Sequence, residues 1–344
     1  MLRKILLSLV AITFFLVLLV SLELCYRAYY ETRTKSSIRS TKMDNYLGWA
    51  QEPFIDSETP IPGYGIVKRT TDKYGFRVFG DPGTKKTKIL VLGDSYTEAG
   101  NVSDGYTYYE TIAKLNPNVE IFAYGEGGYG SLQEYLVLDR YFDEIKPDII
   151  IWQFHYNDLV NNSYDLEIRS YKNNNLNWRP YLRDGKIEYL YPYHKKGLLA
   201  RLSRYSHVAK NINMKLDYQK FKELGTIESK ITKGDKLFDE AARTTGEIMA
   251  LVRKRSGNIP IVAFLGGRWL ENWPEDTYAN ICRGQRMFYI PNMQNVMYDA
   301  KKKGIQTDGA PFDGHWGMNG HLIAGRLLHD FMLTRRLIPP LARR

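Results

Sequence analysis

The longest apolar segment of the chain lies at its N-terminus. Residues 5–22 carry no charged side chain, and Arg3 and Lys4 precede them. A run of about 18 apolar residues is near the lower limit for a helix that spans the hydrocarbon layer of a membrane. The residues after the run are bulky, whereas a cleaved signal peptide ends in small side chains. The pattern favours an uncleaved anchor over residues 1–26; a cleaved signal peptide and a buried helix are the alternatives.

The basic residues that lead this segment predict its orientation. Lysine and arginine beside a membrane helix favour the cytoplasmic side. We therefore expect the N-terminus in the cytoplasm and the rest of the chain outside it, although Arg27, Arg33 and Lys35 after the segment oppose this orientation. The later apolar runs are too short for a second membrane span.

Beyond this segment, short apolar runs alternate with stretches of helical pattern. Stretches 132–145 and 236–255 are predicted to be helices. Four apolar runs are predicted to be buried strands: 88–92, 119–123, 148–154 and 259–265. Apolar strands that alternate with helices are typical of a parallel sheet covered on both faces. The pattern therefore predicts an α/β domain over residues 86–335.

Two segments do not follow this alternation. Residues 27–85 contain many glycines and prolines, and we predict a linker and an extended arm that lies on the main domain. Residues from about 161 to 232 are rich in tyrosine and are predicted to be an insertion. The insertion should contain a hairpin that turns at Asp184-Gly185 and a mainly helical stretch over 197–224.

Composition and charge exclude several classes of function. Hydrophobic residues make up 44% of the chain and charged residues 25%, which is ordinary for a folded protein. The net charge of +10 is scattered and no nucleic-acid-binding motif accompanies it, so we expect no nucleic-acid partner. An anionic polysaccharide or membrane headgroups would suit the charge as well as a solvated surface does. Cys25 and Cys282 form no disulfide framework, and we expect no metal and no cofactor.

Polar residues follow three of the predicted strands and recur near the C-terminus. The four groups are Gly93-Asp94-Ser95, 125–130, 155–158 and Asp313-Gly314-His315. In a parallel α/β sheet, functional loops gather at the carboxyl ends of the strands. A serine hydroxyl needs a base to become a nucleophile, and a histidine held by a carboxylate supplies one. We predict Ser95 as nucleophile, His315 as base and Asp313 as the residue that orients the base.

Acyl transfer also needs donors for the negative charge that develops on the carbonyl oxygen. The backbone N–H groups of Ser95 and Gly128 and the side-chain amide of Asn157 could form this oxyanion hole. The alternatives are helix capping by Ser95 or Asn157, and another glycine of the 125–130 turn in place of Gly128.

The other polar residues near these loops are given structural roles. Asp94 and Asp158 should bond nearby backbone, and His321 should pack or cap in the last helix. His155 could belong either to the pocket wall or to the core. The glycines of 125–130 also fit a dinucleotide-binding pattern, but the acid expected about 20 residues later falls at the wrong end of a strand, so we expect no NAD.

In this order, the four groups resemble the four sequence blocks of the SGNH/GDSL hydrolase superfamily. The resemblance covers residues from about 88 to 333, with the insertion unmatched. It implies a flavodoxin-like three-layer sandwich around a parallel sheet of about five strands, with Ser95, Gly128 and Asn157 as the oxyanion hole. The sequence departs from the family at His155, where glycine is usual, and in the single residue between Asp313 and His315, where two are commoner.

The block Asp-Gly-His-Trp at 313–316 resembles the branch of this family that is linked to O-acetylation of bacterial exopolysaccharides. The sequence therefore predicts a serine ester hydrolase or O-acyltransferase that acts through an acyl-enzyme on acylated carbohydrate outside the cytoplasm. Its expected partners come from polysaccharide biosynthesis. The alternatives are a non-catalytic, membrane-tethered carbohydrate-binding or assembly protein, and a lipase or thioesterase at the membrane surface.

Overall fold

The computed structural model describes most of the chain. The described residues are 2–35, 41–61, 65–170, 177–192, 198–202, 205–209, 212, 215–216, 234–267, 273–309 and 314–340.

The strands and helices follow the alternation that the sequence predicts. The strands are β1 (Thr41–Asp44), β2 (Gly48–Gln51), β3 (Asp56–Ile61), β4 (Gly65–Thr70), β5 (Val78–Phe79), β6 (Thr87–Gly93), β7 (Val119–Gly125), β8 (Ile149–Phe154), β9 (Arg179–Arg183), β10 (Lys186–Leu190), β11 (Ile261–Leu265) and β12 (Phe288–Ile290). The helices are α1 (Leu2–Lys35), α2 (Ser95–Glu98), α3 (Tyr108–Leu115), α4 (Ser131–Ile145), α5 (Asn157–Asn161), α6 (Tyr164–Glu167), α7 (Leu198–Leu202), α8 (Lys236–Ser256), α9 (Trp273–Gly284), α10 (Met293–Lys302) and α11 (Met318–Thr334).

The central sheet has the strand order β12-β11-β8-β6-β7-β5. All neighbouring pairs are parallel except β5 and β7, which are antiparallel. Numbered by their order in the chain, the five parallel strands are arranged 2-1-3-4-5, the flavodoxin-like doubly wound order. The predicted fold class is confirmed, and each of the four predicted strands lies within two residues of an observed one.

Helices cover both faces of this sheet, which explains why its strands are apolar throughout. In β6, Leu90 and Leu92 face one core, whereas Ile89 and Val91 face the other. Helices α4, α8 and α9 pack on the first face, and α3, α10 and α11 pack on the second. A strand covered on both faces cannot alternate apolar and polar residues, because each side chain enters a core. The result is a three-layer sandwich.

The N-terminal helix α1 stands apart from these cores. Residues Arg3–Tyr29 are long and apolar enough to cross a membrane, and none of this window is buried inside the protein. A signal sequence satisfies the same criterion.

The segment that follows α1 contributes directly to the main domain. Antiparallel hairpins form between β1 and β2 and between β3 and β4, and β5 adds an edge strand beside β7. Trp49 and Phe76 from this segment are buried in the core on the α4 side. The arm is therefore packed into the domain that carries the site.

The insertion contains the predicted hairpin. Strands β9 and β10 are antiparallel and pair Arg183 with Lys186, so the turn falls at Asp184-Gly185 as predicted. Helix α7 lies in the stretch 197–224 that is predicted to be helical, but most of that stretch lies outside the described residues.

Candidate active site

Ser95 lies at a tight turn between β6 and α2. The turn is so compact that a Cβ atom on residue 93 would lie only 2.2 Å from the hydroxyl oxygen of Thr97, so glycine is needed there. Asp94 caps the helix, since its carboxylate accepts a hydrogen bond of 3.0 Å from the N–H of Tyr96. Ser95 is thus the first residue of α2, at the carboxyl end of the strand, and its side chain is only partly buried.

The hydroxyl of Ser95 contacts His315, although 220 residues separate them in the chain. Ser95 Oγ lies 2.7 Å from His315 Nε2. At this distance, an imidazole that carries no proton on Nε2 accepts a hydrogen bond from the serine hydroxyl. Asp313, the predicted partner of the histidine, lies outside the described residues. The structure therefore brings together the predicted nucleophile and base.

Backbone and aromatic contacts hold the loop that carries His315. The N–H of Gly309 donates to the carbonyl of His315 at 2.8 Å, and Trp316 forms a β-bridge with Asp308. The Tyr96 hydroxyl donates to the carbonyl of Gly314 at 2.9 Å, and its ring lies 4.9 Å from the His315 ring, centroid to centroid. Because Tyr96 follows Ser95 directly, it ties the serine turn to the histidine loop.

Gly128 and Asn157 follow the strands on either side of β6. Gly128 has φ of +76°, a conformation that favours glycine. Asn157 begins α5, and its side-chain N–H₂ donates to Asn161 Oδ1 at 2.8 Å and makes a longer contact of 3.4 Å with the Tyr129 carbonyl. The longer contact is weak by ordinary hydrogen-bond criteria. Asn157 is thus oriented by its own helix and lies against the residue after Gly128.

His155 connects the loop after β8 to the serine turn. Its ring contacts the Oδ1 of Asn157, lies 5.0 Å from the Tyr96 ring and has Nδ1 3.6 Å from the Asp94 carboxylate. Burial lowers the pKa of His155, an effect that the nearby Asp94 opposes. His155 is therefore a buried residue that holds the loop after β8 against the serine turn.

His321 is excluded as the base by its surroundings. It is buried in α11, and its Nδ1 accepts a hydrogen bond of 3.2 Å from the N–H of Tyr108. Burial lowers the pKa of His321 to about 3, so the ring stays neutral at physiological pH. It caps the start of α3 and packs on the Tyr108 ring.

A buried arginine from the insertion binds the loop that contains Gly128. The Arg179 guanidinium donates to the Gly128 carbonyl, to Gln133 Oε1 at 2.6 Å and to Glu167 Oε2 at 2.6 Å. It also lies over the Trp49 ring, 4.9 Å from the centroid. At most 1% of the surface of Arg179 and of Glu167 is exposed. This Arg179 clamp joins the insertion, the arm and the turn after β7.

A second buried arginine, Arg77, binds the end of the helix that begins with Ser95. Arg77 donates to the carbonyls of Glu98, Ala99 and Val102 at 2.7–3.1 Å, and to the Asp104 carboxylate at 2.7 Å. The carbonyls at the end of α2 have no partner within so short a helix. Arg77 supplies those partners, so the arm fixes the helix that begins with Ser95.

Two carboxyl groups near the site are buried: Glu134 in the first turn of α4 and Asp158 in α5. Burial, and then the charges of nearby carboxylates, raise the pKa of both groups well above their usual range. The Asp158 carboxylate accepts a hydrogen bond of 3.1 Å from the N–H of His155. Within the described part of the chain, neither carboxyl oxygen of Glu134 has a hydrogen-bond partner.

Replacing Glu134 with glutamine is expected to stabilise the fold at neutral and alkaline pH. A carboxyl whose folded pKa is raised keeps a proton that the unfolded chain releases above about pH 4.3. Stability therefore falls as the pH rises from that value towards the folded pKa, by about 1.4 kcal/mol per pH unit and proton. Glu134→Gln removes one such proton. The unfolding free energy of the variant, measured by urea unfolding of the full chain in detergent, should therefore fall less with rising pH than that of the wild type.

The matched control for this prediction is Glu144→Gln, at an exposed position of the same helix. It should leave the dependence of unfolding free energy on pH unchanged. An equal dependence in wild type and Glu134→Gln would contradict the assignment of a protonated Glu134.

The described residues of the four sequence blocks lie at one edge of the central sheet. The described residues of the blocks meet at the carboxyl edge of a parallel sheet in 2-1-3-4-5 order, with Ser95 and His315 in contact. The chain resembles the SGNH/GDSL hydrolase superfamily.

Solved structures of SGNH/GDSL proteins and acetylxylan esterases are among those similar to this one. A member of the lipolytic G-D-S-L family from Veillonella parvula is 14% identical, with 71% of this chain and 98% of that chain covered and a TM-score of 0.40. The acetyl xylan esterase Est2A from Butyrivibrio proteoclasticus is 15% identical, covering 74% and 66%, with a TM-score of 0.39. A catalytic mutant of the acetylxylan esterase Axe2 from Geobacillus stearothermophilus is 14% identical, covering 76% and 98%, with a TM-score of 0.40. No family model and no curated protein matches the sequence.

Three residues outside the predicted SGNH/GDSL site hold its loops: Tyr96, Arg77 and Arg179. Tyr96 was within reach of sequence reasoning, because it is adjacent to Ser95. The two arginines were not, because their partners lie on distant segments and no spacing in the sequence relates them.

Proposed function

We propose that this protein is a serine-dependent ester hydrolase or O-acyltransferase that acts through an acyl-enzyme. The observation that carries the proposal is the distance of 2.7 Å between Ser95 Oγ and His315 Nε2. A serine hydroxyl becomes a nucleophile when a neighbouring imidazole can take its proton. Ser95 is also partly exposed at a sheet edge, where a substrate can reach it.

The proposed reaction has two steps. Ser95 attacks the carbonyl carbon of an ester while His315 takes the hydroxyl proton; the leaving alcohol then receives that proton, and an acyl-serine ester remains. Water or a sugar hydroxyl next attacks the acyl-serine while His315 takes its proton; the bond between the acyl carbon and Ser95 Oγ breaks, and His315 returns the proton to Ser95. Asp313 would accept a hydrogen bond from the other ring nitrogen of His315 and favour the correct tautomer.

The oxyanion hole would consist of the N–H groups of Ser95 and Gly128 and the amide of Asn157. The first lies at the start of a helix, and preorganised donors of this kind stabilise the charge on the former carbonyl oxygen. The weak contact between Asn157 and the Tyr129 carbonyl is the one that a substrate oxyanion would replace.

The proposed substrate is an acylated carbohydrate outside the cytoplasm. The substrate class rests on the resemblance of the block at 313–316 to proteins linked to exopolysaccharide O-acetylation. The location rests on α1, proposed as an uncleaved anchor over residues 1–26 with a cytoplasmic N-terminus. The arm at 27–85 and the domain at 86–335, with its insertion at about 161–232, would lie on the other side, beside partners from polysaccharide biosynthesis.

The full chain in detergent tests this function directly. We expect it to release acetate from p-nitrophenyl acetate and from acetylated oligosaccharides, or to transfer acetyl groups to unacetylated oligosaccharides. Glycan binding without any turnover would instead support a non-catalytic carbohydrate-binding protein. Turnover that increases with acyl-chain length would support a lipase or thioesterase at the membrane surface.

A further inference from the structure

A pair of charged residues in α1 binds the insertion. The Glu23 carboxylate accepts hydrogen bonds from the Ser206 hydroxyl at 2.7 Å and from the N–H groups of His207 and Val208 at 2.8 and 3.2 Å. Arg27, one turn further along α1, donates to Glu23 at 2.8 Å and to the carbonyl of Tyr205 at 2.7 Å. These contacts attach residues 205–208 to α1.

The position of Glu23 places this attachment at the edge of the proposed membrane span. The apolar run 5–22 is about 27 Å long at 1.5 Å per residue, close to the thickness of the hydrocarbon layer. An unpaired carboxylate at that boundary would be costly, because the adjacent medium is apolar. Every described partner of Glu23 other than Arg27 comes from the insertion, so α1 and this part of the insertion form one unit at the membrane boundary.

The attached segment exposes a row of large apolar side chains. Between 47% and 77% of each side chain is exposed, and we call this row the apolar stripe: Leu198, Leu202, Tyr205, Ile212 and Leu216. Leu198 and Leu202 lie four residues apart in α7, and Ile212 and Leu216 lie four residues apart further along the chain, which is the spacing of neighbours on one helix face. Isolated exposed apolar residues are ordinary on protein surfaces, but five of them in one short segment attached to a proposed membrane helix indicate an interaction surface.

The charge of the same segment matches a membrane surface. Residues 198–216 contain four basic residues and no acidic residue: Arg201, Arg204, Lys210 and Lys215. Exposed apolar side chains combined with lysine and arginine are typical of segments that lie in the membrane interface, with the apolar side chains about 5–10 Å into the headgroup boundary.

We propose that the apolar stripe lies in the membrane interface beside α1, held there by Glu23 and Arg27. The basic residues of the segment 198–216 would bind anionic lipid headgroups. Lipid is favoured over a protein partner because residues 205–208 attach this segment to the proposed membrane helix and the segment carries positive charge. The interface would then hold the insertion, and through the Arg179 clamp the turn after β7, at a fixed position relative to the membrane. The proposal rests on the anchor and not on the catalytic role of Ser95.

Lipid quenching of a fluorescent probe tests this placement in the full chain. The exposed Cys25 is replaced by serine, while the buried Cys282 stays. A nitrobenzoxadiazole label is then placed at Leu202→Cys or at Ile212→Cys, and the protein is reconstituted into phosphatidylcholine vesicles with or without phosphatidylglycerol. Nitroxide-labelled lipids are expected to quench both probes, with greater quenching and a larger blue shift when phosphatidylglycerol is present.

Two control positions make the outcome decisive. Leu16→Cys lies within α1 and reports on the anchor, and Tyr298→Cys is an exposed position on α10. Quenching at residue 16, together with quenching at 202 and 212 no greater than at 298, would overturn the proposal. Absence of quenching at 16 would overturn it too, because no membrane would then lie beside the stripe.

The same samples distinguish other outcomes. Probes at 202 and 212 that neither nitroxide lipid nor aqueous iodide quenches would show a protein on the stripe, which overturns the lipid assignment. Glu23→Gln removes the charge that binds residues 206–208 and should reduce lipid quenching at 212; unchanged quenching would contradict the role of Glu23. Ester hydrolysis by these preparations reports separately on the proposed function, since no labelled position lies at the site.

Discussion

Replacing Ser95 with alanine is expected to lower kcat for ester hydrolysis by roughly 10⁴–10⁶-fold. In the proposed mechanism the change removes the atom that forms the acyl-enzyme bond, while the contacts of Tyr96 and Asp94 that hold the turn remain. His315→Ala should cause a loss of similar size, because Ser95 and His315 act as one unit. For the same reason the double variant should be little worse than either single one.

Steady-state kinetics with an acetyl ester, together with thermal unfolding of each variant, measures this effect. Ser57→Ala is the matched control, since this serine lies in the β3–β4 hairpin and its hydroxyl makes, among the described residues, only a long bond of 3.4 Å to the Arg69 carbonyl. It should retain full activity. A Ser95→Ala variant that is folded and hydrolyses the ester at a rate near that of wild type would refute the nucleophile assignment.

Replacing Arg179 with methionine is expected to lower kcat by roughly 10²–10³-fold, the effect of losing one oxyanion donor. Arg179 binds the Gly128 carbonyl, so its loss frees the turn that would place the Gly128 N–H. The Michaelis constant should change little, because the donor acts on the transition state. Stability should also fall, by about 3–5 kcal/mol, because Glu167 would be left buried without its ion pair.

A second variant separates these two effects of Arg179. Arg179→Met combined with Glu167→Gln removes the unpaired charge, so most of the lost stability should return while kcat stays low. Urea unfolding and kinetics on the same preparations measure both quantities. If kcat recovers together with stability, Arg179 contributes to folding alone and does not position Gly128.

The fold was largely predictable because its strands are buried on both faces. Continuous apolar runs marked β6, β7, β8 and β11 to within two residues. The short strands β5 and β12 have two and three residues, which is too few for a periodic pattern to appear. Both lie at the edges of the sheet, where pairing with one neighbour defines the strand.

The site was predictable in part, for a reason that lies in the topology. The parallel order brings the carboxyl ends of β6, β7 and β8 to one edge, so residues after those strands become neighbours. His315 follows none of these strands; the loop that carries it is held at this edge by the bonds from Gly309 to the His315 carbonyl and from Tyr96 to the Gly314 carbonyl. The buried partners of the Glu98 and Gly128 carbonyls could not be predicted. Arg77 reaches the first from the arm and Arg179 reaches the second from the insertion, and the hydrophobic pattern contains no information on such pairings.

The most direct test of the account is to label the folded full chain with a fluorophosphonate and locate the adduct by mass spectrometry. A fluorophosphonate reacts with a serine hydroxyl whose proton a neighbouring base removes. We predict one adduct, on the peptide that contains Ser95, in wild type but not in His315→Ala. No adduct on Ser95 in the wild type, or equal labelling without the imidazole, would contradict the account.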